Sequence, residues 1–225
     1  MIPRMKGHWE EAADLRYVQI DPDDDSVGLP VIFSIHGRGA DATDLAGLAP
    51  EIGDGYRWIL PQGPRPVPLA PGYVGWAWYD LGEGREETVI SSRDILEAFI
   101  KDALRRLGVS RDRALIMGFS QGAVMSLHVG LTSEAPFAGI AAMSGYLPAA
   151  DSLNAVLPHR RDRSVLMIHG TLDETLDVEL GRSARTLLEE AGVRPEYHEF
   201  EMGHQITSES LAVVRDYLAK ALRRA

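Results

Sequence analysis

Along the chain, short apolar runs rich in Val, Ile and Phe alternate with longer stretches in which apolar positions recur every three or four residues. A short continuous apolar run suits a strand buried on both faces, and the three-to-four spacing suits a helix with one buried face. The runs predict strands at Leu15 to Ile20, Val31 to Ile35, Tyr56 to Leu60, Ala114 to Met117, Gly139 to Met143, Val165 to His169 and Glu196 to Phe200. Helices are predicted over Ser91 to Leu107, after Ser120, about Val178 to Ala191 and about Ser208 to Leu222. In the first, Ile95, Leu96, Phe99, Ile100, Ala103, Leu104 and Leu107 share one face, Ser91 with Asp94 offers a cap, and Gly108 a stop. In the last, Leu211, Val214, Leu218 and Leu222 form a stripe that should dock. Strand and helix in alternation predict an α/β domain with a mostly parallel sheet. The acidic stretch Asp21 to Pro30 is too short for a crossover helix, so the first two strands are expected to be antiparallel and joined as a hairpin.

One segment breaks the pattern. Residues 61–82 carry prolines at 61, 64, 66, 68 and 71 and then Trp76, Trp78 and Tyr79, which excludes an ordinary helix or central strand. A long loop in a compact domain is usually functional or disordered, and three large aromatics are costly to leave in water. The segment is therefore expected to be a loop forming a wall of a binding pocket, lined by Trp76, Trp78 and Tyr79.

Composition narrows the chemistry. With 225 residues, 45% hydrophobic and 25% charged, the chain has the balance of a globular protein. Its net charge of −10 argues against a nucleic-acid face or an anionic membrane as partner. The absence of cysteine excludes disulfides, thiolate metal sites and a cysteine nucleophile. No apolar run has the length of a membrane span and Met1 to Asp14 lacks a signal-like core, so a cytoplasmic protein is expected.

Gly118-Phe-Ser-Gln-Gly122 follows an apolar strand and precedes a helical run, the context in which G-x-S-x-G lifts a serine to the top of a sheet. Glycines two before and two after relieve the crowding of so sharp a reversal, and the following helix N-terminus points free N–H groups at the place where an oxyanion would form. Ser120 then needs a base and an acid in the chain order Ser, Asp or Glu, His. Of the downstream histidines, His128 lies along a helix, His169 ends a strand and His198 lies within one, whereas His204 occupies a loop before the last helix and is the candidate base. Asp173, past the strand that ends at His169, is the candidate acid; Glu174 is its rival, and Asp177 is better placed to cap the next helix. The loop His36-Gly-Arg-Gly39 can offer the Arg38 N–H to the oxyanion; it lacks the third glycine of a dinucleotide fingerprint.

These motifs, with Asp44-Leu45, Trp78-Tyr-Asp80 and His169-Gly-Thr-Leu-Asp173, resemble the carboxylesterase and phospholipase branch of the α/β-hydrolase superfamily, which includes acyl-protein thioesterases. The resemblance spans roughly residues 30–220. It implies an α/β-hydrolase fold: one domain over 1–225, a mostly parallel sheet of about seven strands flanked by helices on both faces, an N-terminal extension at 1–13 and no large cap domain. It also implies Ser120 as nucleophile, Asp173 as acid, His204 as base, and the N–H groups of Arg38 and Gln121 as an oxyanion hole. Leu176, with the three aromatics, is expected to line the substrate site. The chain departs from the branch in Leu176-Asp177, where Val-Pro is usual, and in Arg38, where an apolar residue is usual. The expected activity is hydrolysis of short to medium acyl esters through an acyl-enzyme, with no cofactor or metal. Thioesterase or lysophospholipase action with the same triad, and a non-catalytic binding module on the same fold, are the alternatives. The partner is expected to be a small-molecule ester, without nucleic acid or stable membrane insertion; a homodimer is left open.

Overall fold

The computed structural model describes residues 6–13, 15–22 and 28–223. In chain order its strands and helices are β1 (Lys6–Ala12), β2 (Leu15–Asp21), β3 (Val31–Ile35), α1 (Ala49–Ile52), β4 (Arg57–Pro61), β5 (Arg65–Ala70), β6 (Tyr73–Ala77), α2 (Arg85–Leu107), β7 (Ala114–Phe119), α3 (Gln121–Thr132), β8 (Gly139–Met143), α4 (Asp151–Asn154), β9 (Val165–Gly170), α5 (Val178–Glu190), β10 (Glu196–Phe200) and α6 (Ser208–Leu222). Eight strands form one sheet in the order β1-β2-β4-β3-β7-β8-β9-β10, and β5 with β6 forms a separate hairpin. From β4 to β10 every neighbouring pair in the sheet is parallel; β2 runs against β4, and β1 against β2.

The strand periodicity of two sorts side chains onto two faces. In β7, Ala114 and Ile116 join one apolar layer while Leu115 and Met117 join the other, and β8 and β9 divide in the same way. Helices α2, α3 and α5 cover the first layer, α1 and α6 the second. Leu96, Phe99 and Ile100 of α2 are fully buried, each worth about 1.5–3 kcal/mol of transfer free energy. The Leu211, Val214, Leu218 and Leu222 stripe of α6 docks on the second layer.

Four expectations change. The first two sheet strands read from the pattern do run in opposite directions, but β4 lies between them, so no hairpin joins β2 to β3; residues 23–27 of the connecting stretch lie outside the described residues. The 1–13 extension, described from Lys6 onward, contains β1, which pairs with β2 and makes the sheet eight strands wide. Helix α2 starts at Arg85 behind a left-handed Gly84, so Ser91 is an interior residue rather than a cap, and Ile95 is exposed. Its stop is at Gly108, with φ 64°. The 61–82 segment contains a hairpin over 65–77 rather than being a loop throughout; Pro66 and Pro68 are tolerated in β5 because it has only one strand neighbour, while Pro61 closes β4.

Candidate active site

The carboxyl ends of the parallel strands carry all the candidate groups, since Ser120 follows β7, Asp173 follows β9 and His204 follows β10. Ser120 takes φ 55° and ψ −120°, a conformation that non-glycine residues rarely hold. The turn exists because its neighbours are glycines: a Cβ on Gly118 would lie 2.8 Å from Ala123 N, and one on Gly122 would lie 2.7 Å from His36 O and collide with the Ile35 carbonyl. Helix α3 can therefore start against the end of β3. The Ser120 N–H donates to Met143 O at 2.9 Å, tying the turn to β8.

Asp173 is held from two sides. The N–H groups of Thr175 and Leu176 donate to its Oδ1 at 2.9 and 2.8 Å, and the Nδ1–H of His204 donates to its Oδ2 at 2.7 Å. Burial alone would raise this carboxyl, but the Leu176 amide, the His204 ring and the Thr175 amide outweigh it and hold the group below the usual carboxylate range. A carboxylate only accepts, so Nδ1 of His204 carries a proton, and in the neutral form of the ring the lone pair is on Nε2. The His204 ring packs on Phe119, the residue before Ser120, at a centroid distance of 4.7 Å. The acid and histidine loops are joined by backbone bonds from Thr171 N–H to Phe200 O (2.8 Å) and from Leu172 N–H to Met202 O (3.1 Å). That approach needs Gly170, where a Cβ would lie 2.6 Å from Gly203 O.

The loop after β3 is built around His36. Gly63 N–H donates to its Nε2 at 2.9 Å, so the ring proton is on Nδ1, which donates to Gly37 O at 2.7 Å. Burial pushes this imidazole down to about 4, only partly offset by the bond to Gly37, so the ring is neutral near pH 7. Backbone bonds from Gly39 N–H to Trp76 O (2.7 Å) and from Trp76 N–H to Ala40 O (2.8 Å) fasten the loop to β6. Glycine is needed on both sides of that contact, since a Cβ on Gly75 would lie 2.8 Å from Gly39 Cα and Gly39 itself takes φ 86°. Among the described residues, neither the Arg38 nor the Gln121 amide N–H has a hydrogen-bond partner. Both stand beside the Ser120 turn: Gln121 opens α3, and Gly37 approaches so closely that a Cβ there would be 3.4 Å from Ser120 Cβ.

A strained serine turn, an acid-bound histidine packed on the preceding Phe119, and two unengaged amides beside the turn are the kinds of group that acyl transfer requires. Residues 16–222 match the family model described as phospholipase/carboxylesterase. The chain belongs to that family. It is 32% identical to acyl-protein thioesterase 1 of Neurospora crassa over 184 residues, 75% of each chain. It is 30% identical over 210 residues to acyl-protein thioesterase 1 homolog 1 of Dictyostelium discoideum, covering 85% of this chain and 90% of that one. The crystal structure of esterase PE8 superposes with a TM-score of 0.78 at 25% identity, over 97% of this chain and all of that one. The chain is thus an α/β-hydrolase and an ester hydrolase of the phospholipase/carboxylesterase family.

Within this family architecture Trp78 and Tyr79 have other work than lining a pocket. Trp78 and Tyr79 are 0% and 1% exposed, so neither presents surface to an open site. Trp78 donates from Nε1 to His36 O at 3.0 Å, and its carbonyl accepts from Ser92 Oγ. The Gln121 carboxamide clamps both: its Oε1 accepts from Trp78 N–H and its Nε2 donates to Tyr79 O, each at 3.0 Å. Trp76 is half-buried and engages the Arg38 loop through its backbone. Leu176, also half-buried, contributes its amide to Asp173 and its carbonyl to His169 Nε2 at 2.8 Å. Glu174 is exposed, and Asp177 caps α5 by accepting from Glu179 N–H. Arg38 points an exposed side chain outward with no ion-pair partner among the described residues. The sequence reading missed the structural use of His36 and the Gln121 side chain; two flanking glycine-rich motifs meeting at one edge were the only hint.

Proposed function

We propose that the chain hydrolyses short to medium acyl esters through an acyl-enzyme, with Ser120 as nucleophile, His204 as base and Asp173 as the acid that orients it. The observation that carries this reading is the 2.7 Å bond from His204 Nδ1–H to Asp173, which leaves Nε2 as a proton acceptor on the ring packed beside the serine turn. His204 takes the Ser120 proton as Oγ attacks the acyl carbonyl, the N–H groups of Arg38 and Gln121 hold the oxyanion, and the alcohol leaves with the proton from His204. Water, deprotonated by His204, then adds to the acyl-serine; collapse of that intermediate returns the proton to Ser120 and releases the acid.

Residues 171–177 join β9 directly to α5 and 201–207 join β10 to α6, which supports an open site suited to small substrates. The same catalytic groups would cleave a thioester, and relatives named acyl-protein thioesterase, the Neurospora crassa and Dictyostelium discoideum proteins among them, favour that as the second reading. A small-molecule partner and a cytoplasmic setting complete the proposal. Ser120→Ala should lower kcat on p-nitrophenyl butyrate by at least about 10⁴-fold and abolish labelling by a fluorophosphonate probe. Retention of more than a tenth of the activity would refute the assignment. Matched oxygen and sulfur esters of increasing acyl length separate the two substrate readings, a maximum at long chains going against the short-ester one.

A further inference from the structure

His169 is the last side chain of β9 before the Gly170 turn and is 1% exposed, yet it has no part in the Ser120–His204–Asp173 chemistry. Its Nε2 lies 2.8 Å from Leu176 O and 3.6 Å from Asp173 Oδ2, the oxygen that His204 uses. The carbonyl of Leu176 can only accept, so Nε2 carries the proton. That N–H spans the acid loop, anchoring residue 176 to the strand end four residues before Asp173. The Leu176 amide in turn donates to Asp173 Oδ1 at 2.8 Å. One peptide segment thus reaches His169 through its carbonyl and the carboxylate through its N–H. The ring is seated from behind by Gly181 of α5, where a Cβ would lie 2.6 Å from Nδ1 and 3.2 Å from the Tyr197 hydroxyl. Glu199, the register partner of His169 on β10, also bears on the ring electrostatically but is paired with Arg182 at 2.7 Å, and Asp173 is the carboxylate within ion-pair distance of the ring among the described residues.

We propose that His169 is a positioning residue for the acid: through Leu176 it holds the loop in the shape that points Asp173 Oδ2 at His204 Nδ1. The inference rests on the triad reading above. Losing this N–H frees the carbonyl of Leu176 and with it one of the two amides that set the carboxylate's angle. A misplacement of about 1 Å at a reacting group can cost on the order of 10²-fold in rate.

His169→Leu and His169→Gln test it, the glutamine amide placing an N–H near the position of Nε2. In His169→Leu, kcat on p-nitrophenyl butyrate should fall about 10- to 100-fold with KM within about two-fold of wild type, and His169→Gln should recover most of the loss. Gly181→Ala, which pushes on the ring from the other side, should reproduce the leucine phenotype in milder form. Independently of turnover, the low-field ¹H resonance of the His204 Nδ1–H should persist in His169→Gln and broaden or vanish in His169→Leu. An unchanged kcat and unchanged resonance in folded His169→Leu would overturn the proposal, as would a glutamine variant no better than leucine. Should the leucine variant fail to fold, the glutamine and Gly181→Ala variants decide by the same two readouts. If wild-type protein neither hydrolyses the ester nor labels at Ser120, the triad reading fails by itself, while the resonance still reports on His169 and Asp173.

Discussion

His128 sits fully buried in α3, its Nε2–H donating to Pro148 O at 2.8 Å and its Nδ1 without a partner among the described residues. Burial pushes its imidazole from 6.5 down to about 4. The sign follows from proton counting: between about 6.5 and about 4 the unfolded chain binds a proton at this residue and the folded chain does not, so stability falls as pH falls, and levels off below about 4. Between pH 7 and pH 5 that linkage amounts to about 2 kcal/mol for a group with these two values. His36, also pushed down to about 4, contributes a second loss of about 2 kcal/mol over the same interval. The assay is urea unfolding at the two pH values for wild type and His128→Gln, whose amide keeps the bond to Pro148 O but does not titrate. The variant should lose about 2 kcal/mol less than wild type between pH 7 and pH 5. All other titrating groups cancel in that difference. Equal losses in the two proteins would refute the reasoning.

Three further outcomes test the construction of the site. Gly122→Ala forces α3 away from the Ile35 and His36 carbonyls, and since Gln121 moves with it, kcat should fall on the order of 10²-fold while fluorophosphonate labelling slows in parallel. Gln121→Leu keeps the backbone N–H but leaves Trp78 N–H and Tyr79 O unpaired in the core, so thermal and urea unfolding should show a loss of about 2–5 kcal/mol, roughly one desolvation penalty per group. Ser120→Gly relieves the φ of 55° that Ser120→Ala retains, so of these two inactive proteins the glycine variant should be more stable by on the order of 1 kcal/mol; equal midpoints would argue against strain at this turn.

The inner strands were legible because β3, β7, β8 and β9 are buried on both faces and leave unbroken apolar runs. Strand β1 was not, since Gly7, His8, Trp9, Glu10 and Glu11 on an exposed edge carry no such signature. The first turn of α2 escaped for a similar reason: Arg85, Glu86 and Glu87 are exposed, and the helix opens on a glycine rather than on a capping side chain. Ser120, Asp173 and His204 could be picked out because chain order and loop position restrict the choices, and the structure sets the last two in contact. Trp78 and Tyr79 misled because burial and pocket lining make the same demand on composition. What separates them is the Gln121 clamp, a contact across 42 and 43 residues that periodicity does not contain.

The β5–β6 hairpin divides into a fixed root and a free tip. At the root, Trp76 is bonded on both sides to the Arg38 loop and Gly75 is pressed against Gly39, so its backbone shares the coordinates of the candidate oxyanion amides. At the tip, Tyr73 and Val74 are exposed around the Pro71-Gly72 reversal, where Gly72 takes φ 79°, while the Leu69 side chain lies against Gly39. For anyone reshaping substrate range, residues 70–74 are therefore a graft point that can be varied while a glycine is kept at the turn, whereas 69, 75 and 76 mark the boundary beyond which a library begins to alter the catalyst itself.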